Sequence, residues 1–270
     1  MNPYSRHLNS CFLPVENTIE PIFISFTFPT VKQVKIVFGT RLGGVSHNQF
    51  NSLNVSLEVG DDLTQVLQNR SLIKKKLKFE LWNELIQVHG TTIYSNLDID
   101  CFSQPVLKGD GLFTSHTNTG LIIKTADCQA IFFTDLEGKY LGAIHCGWRG
   151  NIAEFPLIAA KAFAKQFNIP PENIFAVRGP SLGPCCSTFT NYPTEIPKKY
   201  WSFISKSSKK LNLWELTKYQ LLQAGLLPQN IFELDICTRC NPHLFFSYRY
   251  NRICGRNINL IYTMSQQNEL

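Results

Sequence analysis

An α+β fold, a single domain of mixed β-sheets with flanking helices, is what this 270-residue sequence predicts, on three observations. Short runs rich in Val, Ile and Phe crowd the chain and are broken by a few helical stretches, without the regular βαβ alternation of a doubly wound sheet. No glycine-rich loop opens a helix directly after a strand. No shift in composition marks a linker, so 21–270 reads as one domain and 1–20 as an irregular N-terminal arm.

In chain order, 21–28 and 34–40 read as strands. Gly43-Gly44 and Asn51-Ser52 bracket a loop, after which Leu53, Val55 and Leu57 alternate with polar neighbours. Asp61 or Asp62 accepts from the free amides opening a helix from 63 to about 79, whose apolar positions are Val66, Leu67, Leu72, Ile73 and Leu77. Lys74, Lys75, Lys76 and Lys78 gather near its end, where they favour the negative pole of the helix dipole and a solvated face. The middle is dense in strands: 121–125, 130–134 and 140–145 are apolar runs parted by Ala126-Asp127-Cys128 and by the Glu137-Gly138 turn. A helix from about 154 to 167 follows, with Pro156 tolerated in its first turn. Pro170-Pro171 stops it, 174–178 is the next strand, and 179–184 is a stiff Gly/Pro loop. A helix over 213–224 ends at Gly225, which suits a left-handed cap, and strands at 231–236, 244–248 and 258–263 complete the chain.

Composition narrows the function classes. Lys and Arg number 26 against 20 Asp and Glu, a net charge of +6 that suits a small anionic substrate and falls short of a nucleic-acid signature. Hydrophobic residues make up 44% of the chain, enough for a buried core, which excludes disordered and coiled-coil classes. Uncharged apolar runs such as 21–31 are too short for a membrane span of roughly 20 residues. Nine cysteines, an odd number with no secretory leader in the opening residues, argue against a disulfide framework and for a reducing cytoplasm.

The chemistry candidates are Cys and His at strand ends. Cys128 follows one apolar run and His145 ends another, so a hairpin-like pair can deliver both to one edge. His89, in Gln87-Val88-His89-Gly90, is a third. Two imidazoles and one thiolate match the ligand count of a catalytic zinc site, which keeps a fourth position open. On spacing alone, a histidine after a strand is more often a hydrogen-bonded core or loop residue. Cys237-Thr238-Arg239-Cys240 has CxxC spacing but no evident second pair, and the adjacent Cys185-Cys186 reads as small apolar packing. His7, His47, His116 and His243 read as loop residues.

These residues carry a family resemblance. Thr40 to Ser46, Ser52-Leu53-Asn54 and Val59-Gly60-Asp61-Asp62 resemble the opening signature of the YfiH-type, laccase-domain purine nucleoside phosphorylases. Gln87-Val88-His89-Gly90, Thr125-Ala126-Asp127-Cys128 and His145-Cys146-Gly147-Trp148-Arg149-Gly150 resemble that family's metal-site motifs in order. Gly179 to Cys186 and Phe245-Phe246-Ser247-Tyr248-Arg249 are similar to its later motifs, so the resemblance spans about 36–263. It departs at Ala130, Cys146 and Tyr250, none of them an expected ligand, which leaves substrate preference more open than metal binding.

The resemblance implies a cytoplasmic enzyme whose catalytic domain covers 21–270, with a fold also like the necrotizing-factor cysteine hydrolases. It implies zinc held by His89, Cys128 and His145, with copper, from the family's older polyphenol oxidase label, as the other metal. The implied activities are phosphorolysis of adenosine, inosine and methylthioadenosine and hydrolytic deamination of adenosine. The implied partners are purine nucleosides and inorganic phosphate, with no nucleic acid and no membrane. Phosphate needs cations, and Arg41 and Arg149 are the candidates, against the plainer reading of surface ion pairs. Asp127 is a candidate to orient a ligand or act as a base, and Asn54 to hydrogen-bond substrate, although an Asn in a loop usually caps its own backbone. Trp148 is placed either to stack on a purine or to pack beneath the site. A metal-free hydrolase or amidase with Cys128 as nucleophile and His145 as base is the main alternative, with copper-dependent phenol oxidation and a binding module behind it.

Overall fold

A computed structural model describes residues 19–263, so the expected arm at 1–20 lies outside the described residues except for Ile19 and Glu20. A five-stranded sheet is built in the order β1 (Phe23–Phe26), β2 (Val34–Gly39), β13 (Asn257–Thr263), β6 (Thr119–Thr125) and β3 (Leu81–Asn83). A six-stranded sheet runs β12 (Ile231–Glu233), β9 (Ile174–Arg178), β7 (Gln129–Asp135), β8 (Leu141–Cys146), β5 (Gly111–Thr114) and β4 (Ile93–Ser95). Both sheets mix parallel and antiparallel neighbours: β3 lies parallel to β6 and β12 to β9, while β7 and β8 form an antiparallel hairpin. The mixed-sheet α+β expectation is met.

The two sheets stack face to face. Ile36 and Phe38 of β2, Leu121 and Ile123 of β6 and Ile261 of β13 meet Ala130 and Phe132 of β7, Ala143 of β8 and Val177 of β9 in one buried cluster. Because side chains alternate along a strand, the intervening residues face outward and need their own cover. Helix α1 (Leu63–Leu77) supplies it for the five-stranded sheet, with Ile73 and Leu77 on Ile122, Ile258 and Leu260. Helix α3 (Phe155–Phe167) and α5 (Leu213–Gln223) supply it for the six-stranded sheet, with Phe155, Phe163 and Leu221 in the cluster of Ile131, Phe133 and Ile144. The result is four layers, helix, sheet, sheet, helix. It explains why β6, β7 and β8 are buried at every position and read as nearly unbroken apolar runs.

Local chemistry sets the helix ends. Asp62 accepts from the Gln65 amide at 3.0 Å and caps α1, which stops at Leu77 because Lys78 turns left-handed at φ 56°. Asn212 caps α5 in the same way. A short helix α2 (Trp148–Ile152) follows β8 directly, and α4 (Tyr192–Glu195) with the hairpin of β10 (Ile204–Ser205) and β11 (Lys210–Leu211) fills the crossover from β9 to α5. Two expected strands are corrected. The 231–236 strand is ordered as β-structure only over β12, and 244–248 is a set of turns in which Leu244 and Phe245 both donate to the Asn241 carbonyl. Its apolar run exists because Phe245 and Phe246 are buried side chains on an irregular backbone.

Candidate functional site

The β7–β8 hairpin pairs Ala130 with His145, and Cys128 precedes the β7 end of that ladder. His145 and Cys128 thus reach the same end of the six-stranded sheet. Cys128 lies on the segment where the chain crosses from β6 in one sheet to β7 in the other, and Asp127 beside it makes the corner with φ 91°. His89 lies on a second crossing, from β3 to β4, also at positive φ, 59°. The three side chains converge. Cys128 Sγ is 3.8 Å from His89 Nε2, the two imidazole centroids are 4.8 Å apart, and one ligand atom from each residue lies within 4.8 Å of the others.

Asp110, at the entry to β5, organises both histidines, and the sequence reading did not single it out. Its carboxylate accepts from His145 Nδ1 at 2.8 Å and from the backbone N–H groups of His89 and Gly90 at 3.0 and 2.7 Å. Its carbonyl accepts from the His145 amide. A carboxylate that accepts the Nδ1–H hydrogen bond fixes that proton on Nδ1 and leaves Nε2 of His145 as the nitrogen facing a metal or a thiolate, the usual outer arrangement of metal-binding histidines. Burial pushes the Asp110 carboxyl up, but His145 and the two amides outweigh it and hold it below the usual range. The only sequence signal was an Asp between Gly109 and Gly111 at a strand start, which has no chemistry until His145 is placed beside it.

The electrostatics are those of an ion pair. Burial opposes the Cys128 thiolate, yet His145 and His89 together lower its pKa to about 6. Burial likewise opposes the His145 imidazolium, and the Cys128 thiolate and Asp110 raise it to about 9. A soft thiolate and two borderline imidazoles form a donor set suited to zinc. The backbone is also cut to fit: a Cβ on Gly147 would stand 2.9 Å from Cys128 Sγ and 3.2 Å from His89 Cδ2. The residues present fit a metal at this place.

Above the trio opens a cleft of about 580 Å³, within the range of small-molecule sites, lined by the trio and by Lys124, Trp148, Arg149, Phe189, Arg249 and Arg256 among others. The Arg149 guanidinium lies 4.4 Å over the Trp148 ring, and Trp148 packs edge-on to Phe189 at 5.7 Å. Lys124 is nearly buried and bridges Glu58 at 2.8 Å and Glu84 at 3.2 Å. Asp127 also lines the cleft, with one oxygen accepting from Thr238 Oγ1 at 2.7 Å and the other from the Arg249 amide at 2.6 Å. Arg41 and Asn54 are held elsewhere. Arg41 donates to the Asn51 and Pro242 carbonyls and stacks on Phe246, and the fully buried Asn54 ties Ser56, Asp61 and Arg256 together. Neither lines the cleft. A second convergence was not foreseen: Cys237 and Cys240 do have a second pair, because Cys185 and Cys186 lie against them.

A four-layer sandwich with two histidines and a cysteine gathered where the chain passes between its sheets defines a protein with a three-donor, metal-capable centre under an open cleft. Residues 35–264 match the family model described as multi-copper polyphenol oxidoreductase laccase, and the chain belongs to that laccase-domain family. Its relatives include the purine nucleoside phosphorylase YlmD of Geobacillus stearothermophilus, 34% identical over 230 residues that cover 79% of this chain and 84% of the relative. The purine nucleoside phosphorylase YfiH of Escherichia coli K12 is 30% identical over 244 residues, covering 87% and 96%. In structure, YlmD from Geobacillus stearothermophilus aligns with a TM-score of 0.83 at 30% identity, over 90% of this chain and 96% of that one. The Bacillus licheniformis hypothetical protein YfiH aligns at 0.80 and 29%, over 86% and 93%.

Proposed function

We propose that this chain is a zinc-dependent purine nucleoside phosphorylase acting on adenosine, inosine and S-methyl-5′-thioadenosine, with hydrolytic adenosine deamination as a second activity of the same site. The observation that carries the reading is the His89–Cys128–His145 convergence at the base of a nucleoside-sized cleft that also holds arginines. The relatives named purine nucleoside phosphorylase support it. Residues 21–270 would form the catalytic unit. Among the described residues no helix is long and apolar enough to cross a membrane, and the proposed setting is the cytoplasm.

In phosphorolysis a phosphate oxygen bonds to the anomeric carbon while the bond from that carbon to the purine nitrogen breaks, and its electron pair leaves with the base, which takes up a proton. The protein must therefore hold an anion beside the sugar and a flat aromatic leaving group. Arg149 would hold the phosphate with its fixed, two-pronged charge. Trp148 and Phe189 offer the aromatic wall against which a purine packs. Asp127 acts on the site through Thr238 and the Arg249 amide, which set the corner that presents Cys128. His89, Cys128 and His145 would hold the zinc, with Asp110 orienting His145. When bound, the metal supplies positive charge and Lewis acidity next to the reacting centre. A multicopper oxidase centre is not supported: among the described residues, the one other group of metal-capable side chains consists of thiols alone.

The test is product chromatography on adenosine, with and without phosphate, paired with metal analysis. Free adenine and ribose 1-phosphate that depend on phosphate support phosphorolysis, inosine supports deamination, and neither product overturns the assignment. The Cys128→Ala protein should lose its phosphorolysis and the metal of this centre together, and undiminished turnover would refute the ligand assignment. The thiolate–imidazolium pair keeps one second reading in play, a metal-free hydrolase with Cys128 as nucleophile. Activity that survives complete metal removal and is abolished by alkylation of Cys128 would establish that alternative.

A further inference from the structure

The four remaining clustered thiols lie outside the cleft chemistry. They belong to two loops, 179–186 after β9 and 234–240 after β12, and the topology explains why loops so far apart in sequence meet. β9 and β12 are parallel neighbours, so both loops leave the same end of the six-stranded sheet. Ser181 and Cys237 then pair as an isolated parallel bridge, with Ser181 N–H donating to the Ile236 carbonyl and Thr238 N–H to the Ser181 carbonyl. This brings Cys185-Cys186 onto Cys237-x-x-Cys240.

We propose that Cys185, Cys186, Cys237 and Cys240 form a second metal centre, a tetrathiolate zinc site that clamps these two loops together. Cys240 Sγ is 3.6 Å from Cys185 Sγ and 3.4 Å from Cys186 Sγ, and all four sulfurs lie within 4.8 Å of one another. A tetrahedron with zinc–sulfur bonds of about 2.3 Å has sulfur–sulfur edges of about 3.8 Å, within that spread. As thiols, four such weak hydrogen-bonding groups gain little from convergence. As thiolates they repel, and need a cation among them.

The surroundings supply what a tetrathiolate zinc site of net charge −2 requires. The Gly183 amide donates to Cys237 Sγ at 3.3 Å and Arg239 Nη1 to Cys186 Sγ at 3.4 Å, the kind of outer contact that orients thiolate ligands. The shallow hollow over Cys185 and Cys186 is rimmed by Lys210, Arg239 and Arg249, which set positive charge beside the cluster. The Asn241 side chain closes the CxxC turn on the Cys237 carbonyl at 2.9 Å. The centre also has a structural consequence. Thr238, between the two cysteines of the turn, and Arg249 farther along that segment hold the two oxygens of Asp127 beside Cys128.

The test uses the full-length protein, loaded with zinc under reducing conditions and desalted before elemental analysis. The wild-type chain should carry about two zinc equivalents, and the Cys240→Ser and Cys128→Ala proteins about one each, since each loses a different centre. Cobalt(II) substitution provides a second readout: the Cys128→Ala protein has no thiolate left at the first site, so an intense sulfur-to-cobalt charge-transfer band in it reports the four-cysteine centre. That band supports the proposal even if Cys240→Ser fails to fold. Zinc content unchanged by Cys240→Ser, no charge-transfer band in Cys128→Ala, iron in place of zinc, or a disulfide among the four cysteines in the reducing preparation would each overturn it. Loss of metal from the first centre leaves these readouts intact, so the two assignments fail separately.

Discussion

Replacing Asp110 by Asn changes one oxygen into an amino group at the point where both histidines are held. The asparagine has two orientations and neither is harmless. If its amino group faces His145, Nδ1 must accept, the imidazole proton moves to Nε2, and the nitrogen that faces the metal is blocked. If it takes the other position, a donor is set against the amides of Gly90 and Val88, now 2.7 and 3.3 Å from the carboxylate oxygen that His145 does not use. Leaving one such buried donor unpaired costs about 1–3 kcal/mol, and loss of the charge-assisted bond adds about 1 kcal/mol, so folding stability should fall by about 2–4 kcal/mol. Removing the outer partner of a ligand histidine typically weakens metal binding ~10–100-fold, or about 1.4–2.7 kcal/mol. Zinc affinity from competition with a chromophoric chelator, and urea unfolding of the metal-free protein, measure the two effects separately. Wild-type affinity together with wild-type stability in Asp110→Asn would refute Asp110 as the organiser of the centre.

Other perturbations follow from the same geometry. Gly147→Ala places a methyl group against Cys128 Sγ and His89, so zinc affinity should drop by roughly tenfold or more while circular dichroism stays native; unchanged affinity would mean that the two ligands yield freely. Arg149→Lys should raise the phosphate KM several-fold with a smaller change in the nucleoside KM, because a point ammonium replaces a bidentate guanidinium, and a flat phosphate response removes Arg149 from that role. In metal-stripped protein, the depressed Cys128 pKa means that the thiolate persists as pH falls and is lost only through about 6, whereas the raised His145 pKa means that the imidazolium survives until pH rises through about 9. Alkylation of the Cys128 peptide, followed by mass spectrometry, should therefore hold nearly constant from pH 8 to about 7 and be halved near pH 6. A decline that starts near the ordinary thiol pKa of about 8.5 would contradict the ion pair.

Where local pattern and tertiary role coincide, the sequence was legible. Asp62 and Gly225 mark the helix ends they suggested, and β6 to β9 appear as apolar runs because both of their faces are covered. The same burial misleads at 244–248, where Phe245 and Phe246 are sunk in the interior without a ladder around them. β3, β4, β10 and β11 are too short to show a period of two. The trio was legible from strand ends and motifs. Asp110 was not, because its partners lie on β8 and on the 88–90 crossing, far from it in sequence, and the pairing of Cys185-Cys186 with Cys237-Cys240 depends on two parallel strands whose adjacency no local spacing encodes.

His89 and Cys128 each sit on a stretch where the backbone leaves one sheet for the other, and His145 is fixed in the second sheet. A cation shared by the three is therefore also a rivet through the seam of the sandwich. Its binding free energy adds to the cohesion of that end of the molecule, by RT ln(1 + [metal]/Kd). Chelation should accordingly raise amide exchange first along these crossings, while the opposite end of the sandwich, where Gln33 donates to the Glu137 carbonyl over the packed core, stays shut.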